Sequence, residues 1–274
     1  MANEIVLEIL LAEMPNDQKG KFFSRVKSMV SESEFLPFRS AVTTRQEVYL
    51  VQEKQYDRML SMKKIAELTG GSGGNFTIYR KNQTGKKEIS LQELEEEIAQ
   101  FKTVNGLPSF RYHPNVYELG ILDFYEDECQ VCCRTSYFFS GGGHFGESDI
   151  EVICIDCLAS GRAASEYKVQ FNTGWLESQD FNKTEELNAK TPGILSWQEV
   201  EWQQHCNDFC AYIGRFKWDD IAHLEEELTA DLLAEADMFN VSTEEIKDIL
   251  NKYAVGHLFQ CHHCERHRMT ADMP

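Results

Sequence analysis

In two stretches near the amino terminus the apolar positions repeat at helical spacing: Ile5, Ile9 and Leu10 within residues 3–13, and Phe22, Phe23, Val26 and Val30 within residues 19–31. Pro15 separates the two short amphipathic helices that this spacing predicts. Residues 48–51 and 76–79 are short apolar runs of strand character, and residues 59–68 between them carry a second helical pattern. Ser90 followed three positions later by Glu93 is a capping-box signature. It opens a helix to about residue 101, with Leu91, Leu94 and Ile98 on the buried stripe. The composition changes at residues 104–108, which places a domain boundary there.

Downstream, residues 121–124 read as a strand, residues 141–143 as a glycine turn, and residues 150–153 as a strand leading into Cys154. The small residues Ala159, Ala163 and Ala164 predict a helix packed closely beneath a cysteine pair. Pro192 and Gly193 precede a predicted helix over residues 197–211, and residues 221–239 form a strongly acidic one. Ser242 with Glu245 repeats the capping pattern and starts another helix. There is no internal repeat and no low-complexity tract.

Charge divides the chain unevenly. The sequence holds 27 basic and 45 acidic residues, a formal charge of −18. Residues 1–103 contain 15 of each sign, leaving 12 basic and 30 acidic residues for 104–274. Binding to nucleic-acid phosphates needs an electropositive face, so direct nucleic-acid binding is not expected of this half. Acidic side chains at Asp219, Asp220, Glu225, Glu226, Glu227, Asp231, Glu235 and Asp237 crowd one predicted helix. Either this is a solvated face or, as the density of one sign suggests, a docking surface for a cationic partner at Asp219, Asp220, Glu225, Glu226, Glu227 and Asp231. The longest apolar candidate for an anchor, residues 5–14, is interrupted by Glu8 and Glu13 and is too short to span a bilayer. It also lacks a basic start, so a cytoplasmic location without membrane association is expected.

All nine cysteines lie beyond residue 128. Thiols in a reducing compartment call for an explanation other than disulfides, and metal is the leading one. Cys129-x2-Cys132 and Cys154-x2-Cys157, with 21 residues between the pairs, have close to the spacing of a structural zinc site. Each two-residue gap lets a tight turn aim two thiolates at one ion, and four thiolates close the tetrahedron. Cys133 is a register alternative to Cys132. A looser second set comprises Cys206 and Cys210, four apart on the predicted helix, with Cys261-x2-Cys264. His205, His262, His263 and His267 lie beside these cysteines, and His205 is a possible substitute ligand. Two zinc ions are therefore expected.

Trp197, Gln198, Trp202 and Asp208 fall in the same predicted helix, where the tryptophans are expected to pack beneath the second metal. No H-E-x-x-H, no H-x-E with P-C-x-x-C, and no P-loop occurs. Residues 70–74 match G-x-S-x-G in form, but a nucleophile elbow follows a strand and precedes a helix, the reverse of the order here. They read as a connector.

The run Leu107-Pro108-Ser109-Phe110-Arg111-Tyr112-His113-Pro114, the pair Cys129/Cys132, and Cys154-Ile-Asp-Cys157 followed by Ala159, Gly161, Ala163 and Ala164 resemble the CbrC-like (UPF0167) colicin-tolerance family. Later motifs agree: Thr191-Pro192-Gly193, Ser196-Trp197-Gln198, Trp202, His205-Cys206, Asp208, Cys210, Gly214, the run 258–264 and Asp272. The resemblance covers residues 107–272; residues 1–103 match no family. A glycine expected after the cysteine pairs is replaced by Cys133 and Glu265, which leaves the turn geometry there open. The family is associated with bacterial tolerance of toxic bacteriocins, so the resemblance implies toxin protection and supplies no catalytic residue.

These observations predict an α+β protein: an amino-terminal mixed α/β domain, residues 1–103, followed by a zinc-stabilised acidic domain with two Cys-rich sites, residues 104–274. The expected function is immunity, the binding and neutralisation of a basic bacterial toxin domain, for example a nuclease, by occlusion of its cationic surface. The alternative is a zinc-dependent enzyme with an open metal position among His205, Cys206, Cys210, Cys261 and Cys264, Asp208 nearby.

Overall fold

A computed structural model describes residues 4–9, 59–60, 63, 76–82 and 85–273, apart from 142–143, 147–148, 177 and 199. The chain divides into two compact units, residues 1–107 and 108–274. The whole is mixed α+β, as the hydrophobic pattern implies. Among the described residues no helix is long and apolar enough to cross a membrane.

In the first unit β1 (Glu4–Ile9), β2 (Phe76–Asn82) and β3 (Gly85–Ile89) form an antiparallel sheet in that order. The helix expected over residues 3–13 is thus a strand at Glu4–Ile9. Ile5, Val6 and Ile9 are β-branched, and in so short a run the neighbouring strand, not the spacing, decides the conformation. α1 (Leu91–Val104) begins at the expected capping box: the Ser90 hydroxyl accepts from the Glu93 amide, the Glu93 carboxylate accepts from the Ser90 amide, and Leu94 and Ile98 are buried. Met59, Leu60 and Lys63 are helical, in keeping with the pattern over 59–68. The expected helix at 19–31, strand at 48–51, connector at 70–74 and most of the turn at 141–143 lie outside the described residues.

The second unit opens with a hairpin of β4 (Leu122–Glu128) and β5 (Thr135–Ser140). Residues 150–153 are not a strand; an isolated bridge between Phe139 and Cys154 carries the chain from β5 into α2 (Ile155–Ala159). The short helices α2 and α3 (Arg162–Tyr167) and then α4 (Phe181–Lys190) follow, the last capped by Asp180. The helix expected over 197–211 does not form. Two short strands, β6 (Gln204–His205) and β7 (Asp208–Phe209), make a hairpin there, and β8 (Ala211–Phe216) follows.

The second unit is organised by the sheet β8, β9 (Val255–Gln260) and β10 (His267–Asp272), with β9 in the middle. α5 (Trp218–Ile221), a 3-10 turn, α6 (Glu225–Phe239) and α7 (Thr243–Lys252) pack on one face through Trp218, Leu228, Leu232, Ile246, Leu250, Leu258 and Met269. Because successive strand residues point to opposite faces, Phe259 turns away from that cluster. It joins Trp202 and Tyr212, with ring centroids at 5.8 and 5.3 Å. His113 sits 5.0 Å from Tyr212 in the same aromatic layer. Gly256 pairs with Phe216 across β8 and β9, and the Phe216 ring occupies the space a Cβ would need, within 2.3 Å of it.

Candidate metal centres

Four donors of the first cluster, from Cys129, Cys132, Cys154 and Cys157, lie within 4.8 Å of one another. Cys129 and Cys132 come from the turn between β4 and β5, while Cys154 caps α2 and Cys157 lies inside it. Cys133, the register alternative, is exposed and outside the cluster. The turn is closed by Cys133 N–H donating to the Cys129 carbonyl at 2.8 Å and Cys129 N–H to the Arg134 carbonyl at 3.0 Å. Cys133 itself adopts φ +54°, the left-handed region where the family resemblance expects glycine.

A tetrahedral zinc with bonds of about 2.3 Å separates its sulfurs by about 3.8 Å. The Cys132 and Cys154 sulfurs are 3.9 Å apart. The Cys154 amide donates to the Cys129 sulfur at 3.2 Å, a contact that suits a thiolate. Burial works to raise the Cys132 thiol, but hydrogen bonds from Arg134 and from neighbouring thiols bring it down to about 7. Donor set, spacing and burial all fit a closed zinc site.

The second cluster corrects the expected ligand set. His205, Cys206, Cys261 and Cys264 meet within 4.8 Å, and Cys210 is not among them. The reason is the hairpin. Cys206 and Asn207 both have positive φ, +51° and +57°, which makes a two-residue turn of the type that matches strand twist. That turn presents His205 and Cys206 together, whereas Cys210 starts beyond β7 and is 0% exposed in the core. Burial raises its thiol to about 12. The His205 Nδ1 atom stands 3.2 Å from both the Cys206 and Cys264 sulfurs, and these two sulfurs are 3.8 Å apart.

Cys261 and Cys264 occupy the turn between β9 and β10, built like the first. Glu265 N–H donates to the Cys261 carbonyl at 3.1 Å, Cys261 N–H to the Arg266 carbonyl at 2.8 Å, and Glu265 has φ +61°. Burial acts to raise the Cys261 thiol, but the His263 and Cys264 amides lower it to about 6. One turn chemistry therefore serves both clusters, and each supplies four protein donors.

Asp208 is no ligand. It is 1% exposed and pairs with Arg111, with Lys183 at 3.4 Å and with His263 Nε2 at 3.1 Å. Tyr112 donates to it at 3.0 Å. Burial opposes its ionisation, but His263, Tyr112, Arg111 and Lys183 hold the carboxyl below its usual range. Because His263 lies between Cys261 and Cys264, Asp208 steadies the turn that carries two donors. The sequence singled out Asp208 but gave no sign that Arg111, Tyr112 and Lys183 would meet it. Trp202 is buried in the aromatic layer, its indole N–H donating to the carbonyl of Cys210 outside the cluster at 2.8 Å, while Trp197 is exposed. His262 lies against Tyr112, and His267 is turned to Glu227.

The acidic residues expected to meet a partner are mostly engaged within the chain. Asp219 accepts from Asn251, Asp220 caps α5 through the Lys217 amide, and Glu225 pairs with Lys247 at 2.6 Å. Glu227 accepts from the His267 amide, and Asp231 is buried against Arg268. Glu226 faces solvent, on a stripe of α6 shared with Leu233 and Asp237, and Met238 is exposed on the flank beside it. Arg268 also donates to the Gln204 carbonyl at 2.7 Å, which ties α6 to the hairpin of the second cluster.

UPF0167 proteins of Mycobacterium bovis and Mycobacterium tuberculosis are each 32% identical to the chain over 184 residues, covering 64% of it and 98% of their own length. One from Pseudomonas aeruginosa is 27% identical over 168 residues, 58% of this chain and 92% of its own. No solved structure matches the chain. The matched region holds every donor of both clusters, and residues 107–273 fit the Uncharacterised protein family (UPF0167), to which this chain belongs.

Proposed function

We propose that the chain is a zinc-stabilised binding protein that neutralises a basic bacterial toxin, a nuclease being one suitable kind, by covering its cationic surface. One zinc ion in each cluster would hold structure, since four protein donors complete each tetrahedron without a water. The observation that carries the reading is the solvent face of α6. There Glu226 and Asp237 flank Leu233, which is 57% exposed, and Met238, 71% exposed, lies about 100° further round the helix. Both apolar side chains are accessible to a partner. A docking helix uses them for area and the carboxylates for steering. The 30 acidic residues against 12 basic ones after residue 103 supply the long-range field.

The test is capture of a cognate basic toxin by the purified chain, followed by association kinetics. Charge reversal at Glu226 and Asp237, which form no ion pair among the described residues, should slow association and flatten its salt dependence. Reversal at Glu225 would instead break its pair with Lys247. Binding that ignores both ionic strength and the Glu226→Lys/Asp237→Lys pair would count against the electrostatic mechanism.

A further inference from the structure

Beside the second cluster lies a cleft of about 500 Å3 between α6, the β6–β7 hairpin and β10, within the roughly 300–1,000 Å3 of ligand clefts. Its charged lining is Glu201, Asp231, Glu235 and Arg268. Asp231 already accepts from both Arg268 and the Met269 amide, so the single cation of the lining is matched. Glu235 is left over. It is 6% exposed, and its Oε2 atom is buried with no hydrogen-bond partner among the described residues. Thr270 and the Ala271 amide lie within reach of the carboxyl, but burial and the nearby Asp231 and Glu201 raise its pKa. A cation placed beside the carboxyl would offset that cost of burial.

The rest of the cleft has the complementary character. Of its apolar lining residues Met238 is 71% exposed and Ala234 is exposed, while Leu176 is buried. The wall is otherwise mainly polar, with Gln203, Gln204 and Asn207, so a buried carboxylate beside the flexible Met238 suits a side chain with a short aliphatic stem and a hydrogen-bonding cationic head. A planar guanidinium could serve Glu235 and Glu201 together, as a point charge could not.

We propose that this cleft receives an arginine side chain of the protein partner, its guanidinium on Glu235 and its stem along Ala234 and Met238. The inference rests on reading the chain as a binder of a basic protein, and it adds the pocket that anchors that protein.

The probe is N-acetyl-arginine amide, titrated into the isotopically labelled full chain prepared with zinc and followed through its amide resonances. The expected result is a saturable shift at Thr270 and Ala271. Its apparent Kd should weaken at least tenfold in Glu235→Gln and in Ala234→Lys, and stay within twofold in Glu126→Gln, an exposed carboxylate on β4 outside the cleft. Ala234 is exposed, so that variant tests the cleft even if Glu235→Gln folds poorly. The uncharged analogue N-acetyl-citrulline amide should give no saturable shift. Silence at Thr270 and Ala271, or an equal response from citrulline or from Glu235→Gln, overturns the proposal. A chain that captures a toxin yet ignores the arginine probe would refute this inference and leave the proposed function standing; an arginine response without toxin capture would do the reverse.

Discussion

The exchange of Cys210 for His205 in the second cluster can be tested with two alanine variants. Cys210 is fully buried and outside the cluster, so Cys210→Ala removes little more than one methylene's worth of buried volume and costs about 1–2 kcal/mol of packing. It should leave metal content unchanged. His205→Ala removes one of four donors, and its Nδ1 atom is 3.2 Å from two cysteine sulfurs. Structural zinc contributes about 10–16 kcal/mol in small zinc domains, so an equal share is about 3 kcal/mol, on the order of a hundredfold in affinity. The assay is metal content by mass spectrometry after passage through chelators of graded strength, paired with urea unfolding. Cys210→Ala should keep two ions per chain with a lowered unfolding midpoint. His205→Ala should surrender one ion to a chelator that the native chain withstands, and His205→Cys should recover it. Loss of the ion from Cys210→Ala with retention in His205→Ala would show that the hairpin does not deliver the fourth donor, and the geometry of this cluster would be wrong.

Three further outcomes follow from particular residues. Glu265→Gly should stabilise the chain by about 1 kcal/mol in urea unfolding without changing metal content, because it relieves a non-glycine residue held at φ +61°; a destabilised variant would contradict this. Gly256→Ala should cost about 1–3 kcal/mol in the same measurement, since its Cβ would meet the Phe216 ring, and Gly256→Ala with Phe216→Leu should recover part of the loss. His113 is buried with its Nδ1–H on the Pro192 carbonyl, and burial lowers its pKa to about 4. Below the unfolded value of about 6.5 the unfolded chain takes up a proton that the folded one refuses, so stability falls with falling pH, by about 1.4 kcal/mol at pH 5.5. The His113 ring carbons should show no titration in the folded protein between pH 7.5 and 5.5, and a midpoint near 6.5 would refute the assignment.

Local signals in the chain decided local structure. The boxes at Ser90/Glu93 and Ser242/Glu245 start helices because their hydrogen bonds close within one turn, and both are present with both bonds formed. The first cysteine cluster was equally legible, because Cys129-x2-Cys132 and Cys154-x2-Cys157 each place two sulfurs by the geometry of a single turn. The charge imbalance, too, is a property of composition, although which carboxylates remain free is not. Glu225, Glu227 and Asp231 find Lys247, His267 and Arg268 from elements 22 to 40 residues away.

Where the pattern misled, long-range contacts outweighed it. Residues 197–211 carry helical spacing, but β6 and β7 turn on Cys206 and Asn207, neither of which is the glycine that marks such a hairpin in a sequence. The left-handed conformation costs about 1–2 kcal/mol per residue and is tolerated where stronger interactions fix it. Here those interactions are the approach of His205 and Cys206 to Cys261 and Cys264, more than 50 residues downstream. Sequence alone therefore specified the Cys-x2-Cys pairs and where they lie, but not the hairpin that carries His205 and Cys206. Only the tertiary structure chose His205 over Cys210, gathered Arg111, Tyr112, Lys183 and His263 around Asp208, and left a Glu235 carboxylate oxygen buried without a partner among the described residues, because each of those outcomes depends on which distant side chain arrives at the same point in space.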